Sequence, residues 1–208
     1  MARKPLTKPR KNASQDRSRA TVDALVEATA RILVKEGFDK ASTNRIAEAA
    51  GVSVGSLYQY FPSKEALVVA VMDRHNDETM RLVRSELADV ATLPIKQAIR
   101  KVVAVAVEAH RIDPRLHRVL TEQIPRTGRL EHMDVFNREN FALFRRYLEA
   151  CGDKVRVADL DLAAFVCVTS IEALAHNAVL RGDGRLLDGE GTLVDEATRL
   201  VAGYLHVR

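Results

Sequence analysis

The chain has 208 residues, a net charge of +4 and 47% hydrophobic residues, enough for one large or two small domains with a buried core. Its two cysteines, Cys151 and Cys167, have neither metal-ligand nor redox spacing, and no apolar signal segment follows the N-terminus. No run of about 18 apolar residues is free of charge, so we expect no membrane contact. These features predict a reduced, cytoplasmic protein. Aromatic residues make up only 5%, so Ala, Leu and Val supply the core, which favours helices.

The charge is unevenly distributed along the chain. Residues 1–64 hold 12 Lys and Arg against 6 Asp and Glu, a net charge of +6, whereas residues 65–208 hold 20 against 22. A basic N-terminal segment followed by a near-neutral remainder is typical of a DNA-binding module joined to a second domain, because Lys and Arg displace the counterions of phosphates. The alternative is a charged, solvated surface without a nucleic-acid partner.

The first two segments in chain order differ in their apolar pattern. Residues 1–14 carry five Lys and Arg residues and two prolines but no apolar periodicity, which predicts a disordered basic arm. Residues 17–36 repeat apolar side chains at steps of three and four, which predicts a helix. Gly37 is expected to end this helix, and Phe38 to pack back beneath it.

The most informative segment is residues 43–60, with the sequence TNRIAEAAGVSVGSLYQY. Thr43 is expected to cap a short helix with its hydroxyl. Gly51 follows the last helical residue, where a left-handed turn is least costly without a Cβ. Ser53 is expected to cap a second helix. The inward face of the first helix consists of small or branched apolar residues, namely Ile46, Ala47 and Ala50.

The second helix of this segment has two contrasting faces. Leu57 and Phe61, at i and i+4, should point inward. The outward face then carries hydrogen-bonding and aromatic groups, which suit the base edges of the major groove. We interpret the pair of helices as a DNA-binding helix-turn-helix, although an ordinary helical hairpin with exposed tyrosines is the alternative. The predicted outward residues are Ser56, Tyr58, Gln59 and Tyr60.

The rest of the chain also shows helical periodicity. Pro62 should stop the second helix, and Ser63 should cap a long helix that continues toward residue 91 and links two domains. Further helices are expected up to residue 151, separated by Asp113-Pro114 and by a loop at 125–128. Residues 159–180 are apolar nearly all round, and 192–205 form a last helix. No strand pattern is present, so the predicted fold is all-α with about nine helices.

These residues together resemble the TetR family of bacterial transcriptional regulators, most strongly over residues 17–71. After the basic arm at 1–14, we expect a three-helix DNA-binding domain at 15–62 and a helical domain at 63–208, for which the resemblance implies effector binding and dimerisation. The resemblance is carried by Glu36-Gly37-Phe38, Thr43, Ile46-Ala47, Ala50-Gly51-Val52-Ser53, Gly55-Ser56-Leu57-Tyr58-Gln59-Tyr60-Phe61 and Ser63-Lys64-Glu65-Ala66-Leu67.

The resemblance also implies which residues meet DNA. Hydroxyl and ammonium groups donate to phosphates, and a glutamine amide can pair with an adenine edge. A solvated position at the start of a helix is the alternative for Lys64. The implied phosphate contacts are Thr43, Tyr58, Tyr60 and Lys64, with Arg45, Ser53, Gly55 and Gln59 near the groove. With Asn44 and Ser56 these residues form the predicted DNA-binding site.

Four polar residues of the C-terminal half are candidates for effector binding. Glu172 and His176 lie at i and i+4 on the apolar segment, where they could contact an effector, bind a metal or hydrogen-bond to each other. Mutual pairing is the preferred interpretation, since a metal needs more ligands than this pair. His110 and His117 flank the Asp113-Pro114 break, where a ligand contact or an ordinary amphipathic surface position would both fit. We expect no metal and no cofactor.

The family resemblance implies a homodimer formed through the last two long helices and a ligand cavity in the C-terminal half. A monomeric core helix is the alternative for residues 159–180. No nucleophile turn, phosphate loop or metal cluster is evident, so we expect no enzymatic activity. The predicted function is a ligand-responsive repressor that binds a pseudo-palindromic double-stranded DNA operator and is released by a small-molecule effector. A constitutive or architectural DNA-binding protein without an effector is the alternative.

Overall fold

The computed structural model describes residues 16–124, 126–182 and 192–206, apart from the side chains of residues 16, 17 and 126–137. Within these ranges the chain forms nine α-helices, two short 3-10 helices at Val90–Thr92 and Gly152–Lys154, and no strand, which confirms the predicted all-α fold. The predicted basic arm lies outside the described ranges. The helices are α1 Asp16–Glu36, α2 Thr43–Ala50, α3 Val54–Tyr60, α4 Lys64–Glu86, α5 Ile95–Arg111, α6 Pro114–Glu122, α7 Arg126–Cys151, α8 Leu160–Arg181 and α9 Leu193–Tyr204.

The chain divides into two compact units, one of residues 1–77 with 115–133 and one of residues 78–114 with 134–208. Helix α4 is continuous from the first unit into the second. The domain limits predicted from the sequence, 15–62 and 63–208, stay a prediction. The two compact units are defined by contacts between residues, which is a different criterion from the sequence motifs that set the predicted limits.

The first unit has a core built by α1 to α4 and by α6. Its fully buried side chains include Leu25, Ile46, Leu57 and Phe61. Helix α6 and the turn after it add four buried residues to the same core, although α6 follows α5 of the second unit in the chain. Helical periodicity predicts that a segment has an apolar face but not which core that face joins. The residues from α6 and the turn after it are Leu116, Val119, Leu120 and Ile124.

Gly37 ends α1 in the first unit, as the sequence predicted. Its φ is +83°, and its N–H donates to the carbonyl of Leu33 at 2.9 Å. A Cβ at this position would stand 2.7 Å from Oε1 of Gln123, the atom that accepts the N–H of Phe38 at 3.1 Å. The positive φ therefore favours glycine here, and a Cβ would in addition displace the flexible Gln123 side chain from its hydrogen bond to Phe38. Phe38 packs half-buried against the first core, as expected.

The second unit has a core of α5, the end of α7, α8 and α9. Helix α8 contributes many small residues, so the helices can approach closely, and Leu148 of α7 and Leu205 after α9 are fully buried there. Helix α7 begins at Arg126, so the loop predicted at 125–128 is wrong from residue 126 onward. A proline before a helix is compatible with this start, because the first N–H groups of a helix have no intrahelical partner.

Helix α8 is, among the described residues, long and apolar enough to cross a membrane by length and composition, with a mean hydropathy of 1.5 and 39% of the tested window buried. Core helices of globular proteins meet the same criterion. Ala163, Cys167 and Ile171 of this helix lie in the second core. Asp159 caps its start by accepting the N–H groups of Asp161 and Leu162 at 2.9 and 3.0 Å.

Candidate nucleic-acid interface

The cap of α2 lies one residue earlier than the sequence predicted. Ser42 has an extended backbone, φ −133° and ψ 152°, and its hydroxyl accepts the N–H of Arg45 at 3.4 Å. Thr43 is the first helical residue, so its expected role as the cap is wrong. An N-cap residue needs a non-helical conformation, which only Ser42 has. The hydroxyl of Thr43 lies instead 3.1 Å from that of Tyr58, which joins α2 to α3.

The turn between α2 and α3 forms as predicted. Gly51 has φ +67°, and its N–H donates to the carbonyl of Glu48 at 3.1 Å. The hydroxyl of Ser53 accepts the N–H of Ser56 at 3.0 Å and so caps α3. Leu57 and Phe61 are buried, which confirms the predicted inward face. These contacts fix how α3 leaves the turn and which of its sides faces away from the core.

The outer side of the two helices carries most of the predicted DNA-binding residues. Tyr58 is 41% exposed, and Ser56 and Thr43 are half-buried beside it. A Cβ at Gly55 would meet nothing nearer than the hydroxyl of Ser53 at 3.8 Å, so packing inside the chain does not require glycine there. Its missing side chain instead leaves the start of α3 open to a close approach from outside. The exposed predicted residues are Asn44, Arg45, Ser53, Gly55, Tyr58 and Gln59.

Tyr60 does not face outward, so this part of the sequence prediction is wrong. Its side chain is only 8% exposed, and its hydroxyl donates to that of Ser18 in α1 at 3.2 Å. Position 60 follows Leu57 by three residues, which places both side chains on the same face of α3. The phosphate contact that the family resemblance implies for Tyr60 stays a prediction, and its hydroxyl already has a partner within the first unit.

Arg45 and Lys64 both have partners inside the first unit. The guanidinium of Arg45 donates to one carboxylate oxygen of Glu36 at 2.7 Å and forms a shorter contact with the other. The ammonium of Lys64 donates to the carbonyl of Phe38 at 3.0 Å and lies 3.9 Å from the centre of its ring. Lys64 is therefore half-buried rather than fully solvated. A phosphate contact by Arg45 would compete with its pairing to Glu36.

Three of the four candidate effector residues lie together in the second unit. His110 of α5 is buried, its Nδ1 is 2.8 Å from the carbonyl oxygen of Ala106, and its Nε2 is 3.5 Å from Oε2 of Glu172. The ring of His176 meets that of His110 edge-on, with the centres 6.1 Å apart. Burial raises the pKa of Glu172 to about 7 and lowers the pKa of His110. Both shifts favour the neutral forms of the two groups.

The preferred pairing of Glu172 with His176 is wrong, because the carboxyl group faces His110 instead. The sequence offered no signal for this contact, since α5 and α8 are far apart along the chain. The fourth candidate, His117, belongs to α6 in the first unit, where its ring centre lies 5.8 Å from that of His75.

The second unit also contains a groove of about 460 Å³ that the sequence did not reveal. Its wall combines aliphatic side chains with charges of both signs. Lys101 donates to Asp89 at 2.5 Å and Arg111 to Glu108 at 2.9 Å. An amphipathic organic molecule would find both kinds of contact here. The groove is lined by Leu82, Glu86, Lys101, Ala104, Val105, Glu108, Arg111 and Ile112.

The helix-turn-helix in an all-α chain defines a DNA-binding transcriptional regulator. Residues 25–71 match the family profile described as bacterial regulatory proteins, tetR family, and residues 94–205 match that of the tetracyclin repressor-like C-terminal domain. The second match alone covers more than half of the chain. The chain therefore belongs to the TetR family of transcriptional regulators.

Individual relatives match only part of the chain. The nucleoid occlusion factor SlmA of Haemophilus ducreyi is 26% identical over 117 residues, 56% of this chain and 55% of that protein, so the match spans about half the length of this relative. The transcriptional activator FasR of Mycolicibacterium smegmatis is 41% identical over 63 residues, 30% of this chain and 29% of that protein. The fold is similar to that of the fatty acid degradation regulator FadR from Bacillus halodurans, with a TM-score of 0.70, 20% identity, and coverage of 90% of this chain and 97% of that chain.

Proposed function

We propose that this protein is a ligand-responsive repressor that binds a pseudo-palindromic operator as a homodimer and leaves it when a small molecule binds. The observation that carries the proposal is the outer side of α3, where Tyr58 and Gln59 are exposed beside a glycine. The buried Leu57 fixes that orientation from the other side of the helix. In a purely structural hairpin, nothing would favour glycine over a residue with a side chain at position 55.

Helix α3 would enter the major groove. Gln59 can pair with an adenine edge, and Tyr58 and Thr43, whose hydroxyls already meet, can donate to one phosphate. Asn44 and Arg45 at the start of α2 would flank the groove, and Lys64 would stand at the start of α4. The net charge of +6 in residues 1–64 adds affinity that does not depend on sequence.

A homodimer would present two such helices to successive major grooves, about 34 Å apart. Apolar surface for this assembly is available in the second unit: Phe165 of α8 and Leu200 of α9 are each 54% exposed, and Leu162 and Tyr204 are exposed on the same two helices. Ala173 is exposed on α8 and would allow a close approach of two helices. Such large exposed apolar groups are typical of a surface that another subunit covers.

Release by a ligand would act through α4. This helix is continuous from Lys64 in the first unit to Glu86, which lines the groove of the second unit. A molecule that binds better when α4 is displaced shifts the population toward the state with the wrong spacing for DNA. The match to a tetracyclin repressor-like C-terminal domain supports a ligand response and repression. A non-enzymatic role in the cytoplasm follows from the same proposal.

A constitutive DNA-binding role without an effector is the second candidate, because the SlmA relative is named as a nucleoid occlusion factor. The FasR relative is named as an activator, so the direction of regulation also needs a test.

The decisive experiment selects bound fragments from genomic DNA with the full chain and measures affinity by gel shift. We expect a two-fold symmetric consensus, and Gln59→Ala should relax base preference at one position of each half-site. Arg146→Ala, an exposed change in α7, is the matched control. A library of small molecules is then screened by thermal shift, and hits are added to the gel shift. Loss of the complex supports the repressor, whereas stabilising ligands that leave DNA binding unchanged contradict the proposed release.

A further inference from the structure

In the first unit, the residue that follows α6 reaches the turn between α1 and α2. The N–H of Gln123 donates to the carbonyl of Val119 at 3.0 Å, which continues the hydrogen bonding of α6. Its side-chain oxygen Oε1 accepts the N–H of Phe38 at 3.1 Å. The oxygen occupies the space beside Gly37, where a Cβ would stand only 2.7 Å from it. Because α6 and the turn after it are anchored in the first core, the backbone that carries this side chain is held in place.

Phe38 in turn holds the ammonium group of Lys64. Its carbonyl oxygen accepts from Nζ at 3.0 Å, and the centre of its ring lies 3.9 Å from the same nitrogen. The carbonyl also accepts the N–H of Ala41 at 3.2 Å, which restrains its direction. Gln123 therefore binds the N–H of the residue whose carbonyl and ring contact Lys64. Gln123, Phe38 and Lys64 all belong to the first unit, which also contains the helix-turn-helix.

We propose that Gln123 is a positioning residue for DNA binding, which holds Phe38 so that the ammonium group of Lys64 is already in place for a phosphate when the operator binds. The proposal rests on a phosphate contact by Lys64, which is part of the proposed function. An ammonium group has three N–H donors, and the carbonyl of Phe38 takes one of them. The other two donors are left for a phosphate oxygen.

The expected effect of this positioning follows from the flexibility of lysine. A free lysine side chain loses rotamers when it binds a phosphate, which weakens binding by about two- to tenfold relative to a side chain that is already held. Lys64 is half-buried against Phe38, so much of this loss occurs before DNA binds. Gln123 is exposed, so its substitution by alanine removes the hydrogen bond to Phe38 without opening a cavity in the core. The alternative is that Gln123 only stabilises the turn, with no effect through Lys64.

The first measurement is operator affinity of the full chain by fluorescence anisotropy over a range of salt concentrations, with an operator selected from genomic DNA. Gln123→Ala should weaken binding by about two- to tenfold per subunit and leave the salt dependence unchanged, because the charge of Lys64 remains. Lys64→Met should lower the slope of log affinity against log salt by about 0.9 per subunit. The double variant should bind no more weakly than Lys64→Met alone. Gln97→Ala, the same change at an exposed position of α5, is the matched control.

The second measurement contains no DNA and follows the trace acetylation of each lysine by mass spectrometry in variants that circular dichroism shows to be folded. Lys64 should react faster in Gln123→Ala than in the wild type, whereas Lys40, which is exposed in the same unit, should react at the same rate in both. Additive losses of affinity in the double variant, or an unchanged rate for Lys64, would overturn the proposal. A wild type that binds no operator contradicts the proposed function instead, and the acetylation rates then still decide whether Gln123 holds Lys64.

Discussion

Tyr58 and Tyr60, two residues apart on α3, should respond to substitution in opposite ways. Tyr60 is 8% exposed and belongs to the first core. Tyr60→Ala removes a buried aromatic ring, which costs about 3–5 kcal/mol of unfolding free energy. Tyr60→Phe keeps the ring but loses the hydrogen bond to Ser18, at a cost of about 0.5–1.5 kcal/mol. Since a typical domain is stable by about 5–15 kcal/mol, the first change removes a large share of the total.

Tyr58 is 41% exposed, and its hydroxyl meets that of Thr43. Tyr58→Ala should change stability by no more than about 0.5 kcal/mol, as exposed substitutions usually do. Its effect on DNA binding should be large, because a hydrogen bond to a charged phosphate contributes about 1.5 kcal/mol or more, and a dimer loses two. A loss of about 3 kcal/mol weakens operator binding about a hundredfold.

Urea denaturation followed by circular dichroism gives the stability of each variant, and fluorescence anisotropy with the selected operator gives its affinity. Tyr58→Phe removes only the hydroxyl, so it should cause most of the affinity loss expected for Tyr58→Ala while leaving the free energy of unfolding unchanged. If Tyr58→Ala binds the operator like the wild type, the outer side of α3 does not contact DNA. If Tyr60→Ala is as stable as the wild type, the burial of its ring is wrong.

Three further predictions concern other parts of the chain. Ala173→Glu should convert the dimer to a monomer in sedimentation and weaken operator binding, because an unpaired charge would be buried between the subunits. The control Ala150→Glu, at an exposed position of α7, should leave both the dimer and operator binding unchanged, whereas an Ala173→Glu protein that stays dimeric would place the interface elsewhere. Deleting residues 1–14 removes five positive charges per subunit, so a plot of log binding constant against log salt concentration should have a shallower slope. The preferred operator sequence should stay the same, and a changed preference would mean that the arm contacts bases. Cys167 is buried and burial raises its pKa to about 12, so at pH 8 it should react with a disulfide reagent only after unfolding; rapid modification in the native protein would contradict this.

The sequence predicted well where a feature depends on neighbours along the chain. Gly51 adopts a left-handed conformation and Ser53 caps α3 because both requirements arise within four residues of each position. The same holds for Gly37 at the end of α1 and for Ser63, whose hydroxyl accepts the N–H of Ala66 at 3.2 Å. Helix propensity and capping depend on residues that are close in sequence, so residue type and spacing are enough to predict them.

The errors on α2 and α3 come from geometry at the scale of one residue. Ser42 and Thr43 are both good caps by type, and only the backbone conformation distinguishes them. Tyr60 has the hydroxyl of a DNA-contacting residue, but the direction of its side chain depends on where the seven-residue α3 begins. A shift of one position turns a helix by about 100°, enough to exchange an exposed side chain for a buried one.

The contacts of α6 and of His110 were beyond prediction for a different reason. Each depends on which distant helix lies opposite, and a single sequence records the apolar face of a helix without naming its partner. His110 and Glu172 come from different helices, so rules based on residue spacing within one short segment cannot find their contact. The sequence therefore led us to pair Glu172 with His176 on its own helix, whereas the structure places His110 of α5 against the carboxyl group of Glu172 and edge-on to the ring of His176.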